Sequence, residues 1–245
     1  MKVFLSLFTL PVLILGMSTT GFAAIEIDVM VSARSNIGFA GTSQADVLST
    51  LPPTSMPGDP ASSTNYYQDA HTAGTWPVFV DITGFGSDIS ISAVGLWYSN
   101  PGALPSGPDG FASVTSTDGI YDNFGISGLT ANLNSLIGVF VDDSGPDAMS
   151  TPAWLTQGID DMTMPLLNQA FVIGSLLEHL QVPVGATKLY LGLHENRQWS
   201  HNGGSVVATI QANTVPVPSS LVIWGVLSGC AAGFHFRNQR KNKQK

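Results

Sequence analysis

The chain has 245 residues, 17 acidic and 9 basic, with a formal net charge of −8. That length allows one sizeable domain plus targeting segments. Residues 24–214 hold all 17 acids against three bases (Arg34, Lys188 and Arg197), a net of −14, which repels phosphate backbones and excludes nucleic-acid binding. The same acidity favours divalent cations. The only cysteine is Cys230, in the C-terminal apolar run, so the middle of the chain has no internal disulfide. It must be held by core burial or by metal.

Residues 1–23, MKVFLSLFTLPVLILGMSTTGFA, read as a signal peptide. Lys2 gives the positive start, Val3–Met17 the apolar stretch, and Gly21 and Ala23 the small residues before a cut at Ala24. The mature domain then runs over 24–214. IEIDVMVSA alternates at Ile25, Ile27, Val29 and Val31, which predicts a half-buried strand. Residues 42–75 are rich in Pro, Ser, Thr and Gly and read as a long loop over the domain.

Further short apolar runs follow between turn residues: WPVFVDITGF, DISISAVGLWY, NSLIGVFVD, AFVIGSL, TKLYLGLHE and GSVVATIQA. Each has strand composition, and no fixed-period repeat joins them. The best helix candidate, PLLNQAFVIGSLLEHLQVP, is interrupted by Gly174 and by its strand-like centre. The pattern predicts an all-β fold, an antiparallel β-sandwich or jelly roll.

Candidate chemistry concentrates in LYLGLHENRQWSHNGGSVVATI, Leu189–Ile210. A strand leads into a loop bearing His194, Glu195, Asn196, His201 and Asn202, and a glycine pair opens the next strand. Oxygen-bearing side chains in a short loop suit calcium. Two histidines leave a transition metal open, although their spacing fixes no tetrahedral site. A plain hairpin loop turning at Asn202-Gly203 stays open as well. Trp199 is read two ways, as a sugar-stacking ring or as core. GPDG (107–110), TDGIYDN (117–123) and DDSGPD (142–147) are read as turns first. There is no GxSxG elbow, nucleotide-binding loop or nucleophile–base spacing, so the chain is read as non-enzymatic. Carboxylates that meet only in the fold keep a polysaccharide hydrolase as an alternative.

The chain closes on residues 215–245, VPVPSSLVIWGVLSGCAAGFHFRNQRKNKQK. Residues 219–236 carry no formal charge and, as a helix, span about 27 Å, enough for one thin bilayer crossing. The basic tail, with Arg237, Arg240, Lys241, Lys243 and Lys245, is expected to stay in the cytoplasm.

Two resemblances sharpen this reading. Val215, Pro216, Val217 and Pro218, the apolar helix and the basic tail together resemble the PEP-CTERM sorting signal of exosortase substrates, with valine in place of the motif's usual glutamate. The resemblance implies an exosortase-type sorting protease and a transient stay in the inner membrane. Delivery to the cell surface or extracellular polysaccharide matrix would follow; an uncut anchor is the alternative. Residues 75–212, through DISISAVGLWYS, GPDG, NSLIGVF, FVIG, LYLGL and HNGGSVVATI, resemble the galactose-binding-like sandwich of bacterial calcium-dependent galactophilic lectins. That resemblance implies calcium held by Asn202, by Glu195 and by the main-chain carbonyl near Ser99. His201 stands where the relatives carry Asp or Asn, beside Trp199 as ligand-contacting candidate. A purely structural matrix protein without a specific ligand is the rival expectation.

Overall fold

The computed structural model describes residues 25–42, 76–99, 102–118, 124–195, 199 and 202–212. The expected signal peptide, most of the 42–75 loop, His201, the 215–218 motif, the 219–236 helix and the basic tail lie outside these residues. Ten strands follow one another: β1 Glu26–Ser32, β2 Val78–Asp81, β3 Asp88–Tyr98, β4 Asp109–Asp118, β5 Leu129–Val141, β6 Leu155–Thr156, β7 Ala170–Val172, β8 Leu176–Gln181, β9 Lys188–Leu193 and β10 Gly203–Ala212. One 3-10 turn, Ile37–Phe39, is capped by the Asn36 side chain, which accepts from Gly38 N at 2.9 Å.

Two sheets form, in the orders β1-β10-β3-β8 and β2-β9-β5-β4, with β6 and β7 also paired to β5. All pairings are antiparallel except β5 with β6. Alternation makes the interior. Val31 from β1, Ile89, Ile91, Ala93 and Trp97 from β3, and Val206, Ala208 and Ile210 from β10 face inward. They meet Val80 from β2, Leu136 and Phe140 from β5, and Leu189, Leu191 and Leu193 from β9. Removing each such aliphatic from water contributes about 1.5–3 kcal/mol. The chain is therefore a β-sandwich, as its alternation predicts.

The run Leu136–Val141 is buried at every position because β5 is covered on both sides. Leu136 and Phe140 enter the inter-sheet core, where Phe140 stacks on Phe171 at 5.4 Å. Ile137, Val139 and Val141 enter a second core with Ile37, Ile126, Leu129 and Trp199.

Two elements differ from expectation. The helix candidate, residues 165–183, holds strands β7 and β8 instead. The register of β3 with β8 shifts between Ile89 and Ile91, and His179 takes φ 55 there. That bulge breaks the two-residue period and imitates helical spacing. Asp109–Asp118, whose ends read as turns, is an edge strand with Ala112, Ser113, Val114, Thr115 and Thr117 exposed.

Gly204 shows how closely β10 lies on β3. Its φ is 87, and a Cβ there would come within 2.5 Å of Leu96 O. Gly84 also has positive φ (88) but opens onto empty space. Gly84→Ala should therefore cost about 1 kcal/mol from strain alone, and Gly204→Ala distinctly more. Urea unfolding of both variants checks the order; equal losses would contradict the close approach.

Candidate functional site

The site lies at one end of the sandwich, where β9 ends and β10 begins. β9 runs through Leu193 into His194 and Glu195, and Asn202 directly precedes β10. Gly203 is the cross-strand partner of Tyr98, so Asn202 and Ser99 continue the two paired strands by one residue each. Of the sequence-predicted ligands, Glu195, Asn202 and Ser99 thus occupy this end together. Asn202 is 1% exposed and Glu195 6%, while Ser99 is half-buried.

Asn202 is held on every side but one. Its N–H donates to Trp199 O at 3.2 Å, and its carbonyl accepts from Arg34 Nε at 2.9 Å. Its Nδ2 donates to Ala33 O at 3.0 Å and, at longer range, to Glu195 Oε2 at 3.4 Å. Turning the amide over would set Oδ1 against a carbonyl and a carboxylate, so its orientation is fixed. Oδ1 is left buried with no hydrogen-bond partner among the described residues. Such an acceptor normally costs about 1–3 kcal/mol, so a buried one calls for a partner. A cation would supply such a partner. The donors present, an amide oxygen, a carboxylate and main-chain carbonyls, are the hard oxygens that calcium takes.

Transition-metal chemistry has less to work with. His194 is fully buried, and its Nε2 donates to Ser116 O at 3.2 Å, so that nitrogen is committed. Among the described residues, no group of three or more His, Cys, Asp or Glu side chains gathers. Burial pushes the His194 imidazole down to about 4, against the opposing effect of its bond to Ser116.

Trp199 is core. It is packed with Ile37 and Ile137, and its Nε1 donates to Leu193 O at 3.3 Å. A ring so enclosed has no face for a sugar. Within DDSGPD, Asp142 caps Ser144 N, Asp143 pairs with Lys188 Nζ at 3.0 Å, and Asp147 caps Met149 N. That loop is a set of turns. GPDG is likewise a turn, closed by Gly110 N on Gly107 O, with Asp109 Oδ1 accepting from Ser175 N. Sequence reading missed Arg34 and Ala33, whose contacts with Asn202 cross 168 and 169 positions of chain.

No family model matches the chain, and no curated protein matches it. A solved structure is similar. The N-terminal domain of EclA, described as a PllA-like lectin, shares 13% identity at a TM-score of 0.35, over 78% of this chain and 98% of that one. The site rests on its own residues rather than on that distant likeness.

His194 generates a pH prediction. Its pKa of about 4 lies below the ordinary 6.5, so the folded state resists protonation that the unfolded state accepts. Its contribution is complete above pH 6.5 and declines as pH falls toward 4, by about 3 kcal/mol in total. Urea unfolding between pH 6.5 and 5 should show that decline, and His194→Gln should flatten it. An unchanged slope in the variant would contradict the buried neutral ring.

Proposed function

We propose that this chain is an exported, non-enzymatic carbohydrate-binding protein that takes its ligand through calcium. The buried, partnerless Oδ1 of Asn202, aimed by an amide that cannot turn over, carries the reading. Asn202 Oδ1, the Glu195 carboxylate and the main-chain carbonyl at Ser99 would hold the ion. Bound there, calcium would supply open coordination positions for vicinal sugar hydroxyls. The protein's part is to fix the amide and to hold the Glu195 carboxylate beside it. Export and delivery to the cell surface or polysaccharide matrix are supported by the sequence pattern at 1–23 and 215–245. An exosortase-type protease is the proposed processing partner.

Thermal unfolding with calcium checks the metal. Calcium at 100 times its dissociation constant should add about 2.7 kcal/mol of stability. Asn202→Leu and Glu195→Gln should each abolish that gain, and magnesium should give less. A glycan array run with and without chelator then checks the ligand. Calcium stabilisation without chelator-sensitive glycan binding would make the ion a structural staple in a matrix protein. No stabilisation in millimolar calcium would sink the site.

A further inference from the structure

We infer that Trp97 is a positioning residue, joining the two banks of the candidate site through the main chain of Asn134. The inference rests on the reading that Asn202, Glu195 and Ser99 share one calcium site.

Asn134 lies inside β5, just before its pairing with β9 begins. β4 pairs with Leu133 and with Ser135, and the pairing with β9 starts at Leu136. Asn134 takes φ 65, a conformation that costs any non-glycine residue, asparagine less than most. Its N–H donates to His194 O at 2.8 Å. Its carbonyl accepts from Trp97 Nε1 at 2.9 Å. His194 immediately precedes Glu195, and Trp97 stands two residues before Ser99. One residue therefore links the carboxylate bank to the carbonyl bank.

Trp97 is suited to hold its end. It is 0% exposed and packs in the inter-sheet core. Its main chain also exchanges two bonds with Ser106, at 3.1 and 2.8 Å, closing the loop that Ser99 opens. The Asn134 side chain does not explain the arrangement. It is fully buried, and neither amide atom has a hydrogen-bond partner, so it serves the fold poorly. The main-chain link is what the residue provides. Calcium needs its oxygens within a narrow range of distances, so drift of one bank against the other weakens binding.

The test uses the full chain and calcium chloride, with calcium affinity by calorimetry and calcium-free melting temperature read separately. Trp97→Phe keeps the buried ring but deletes the N–H. It should weaken calcium binding by about tenfold, as loss of a supporting contact does at other metal sites. Asn134→Gly keeps the peptide link, accepts the positive φ, and removes the partnerless amide. It should raise the melting temperature and leave calcium affinity unchanged. A Trp97→Phe protein that melts earlier with unaltered calcium affinity would reduce Trp97 to packing and overturn the inference. Weakened binding in Asn134→Gly would assign the role to the amide and overturn it too. If the parent protein takes no calcium, the functional reading itself falls. Amide exchange at Ser99 and Glu195 then decides the link: faster exchange at both in Trp97→Phe upholds it, and unchanged exchange overturns it.

Discussion

β10 and β3 pair over ten residues, from Gly203 opposite Tyr98 to Ala212 opposite Ile89. That register settles much of the rest. It turns Val206, Ala208 and Ile210 into the core beside Ile89, Ile91 and Ala93. It also brings the residue before Gly203 and the residue after Tyr98 to the same end of the sheet. A slip of one residue would move every inward side chain to solvent and Asn202 away from Ala33 and Arg34. The burial of this strand pair is thus the force that assembles the site, and at Gly204 and Gly95 the two backbones leave no room for a Cβ.

The site end is unusually polar for its depth. His194, Glu195, Asn202, Asn134, Ser106 and Ser116 are all buried there or in the adjoining strands. Main-chain bonds hold several of them, such as His194 N on Ser135 O and Asn134 N on His194 O. Several side-chain atoms are not satisfied: the hydroxyls of Ser106 and Ser116, both amide atoms of Asn134 and the Asn202 oxygen. A protein assembled for stability alone would fill such positions with apolar groups.

The sandwich was legible because burial of one sheet face imposes a period of two, and β1, β3, β9 and β10 display it in Ile, Val and Leu. β4 was hidden because residues 112–115 are all exposed on the sheet edge, so no period of two marks it. β8 was hidden because the bulge at His179 displaces Leu180 from the two-residue period and leaves Leu176, Leu177 and Leu180 at helical spacing. At the site, the strand–loop–Asn-Gly-Gly pattern pointed to Glu195 and Asn202. It said nothing of Ala33, Arg34 or Asn134, since those contacts are made by strand pairing across most of the chain. Nor did it decide between the two readings of Trp199. That choice depended on whether the second core had room for an indole, and Ile37, Ile126 and Ile137 supply the walls.

The central claim is that Asn202 Oδ1 is aimed at a cation. Crystals of the protein grown with calcium, with anomalous diffraction recorded, test it most directly. The account predicts an anomalous peak about 2.3–2.6 Å from Asn202 Oδ1 and from a Glu195 oxygen, with the amide oriented as it is now. An ordered water on Oδ1, or a turned amide, with no anomalous peak in saturating calcium, would contradict it.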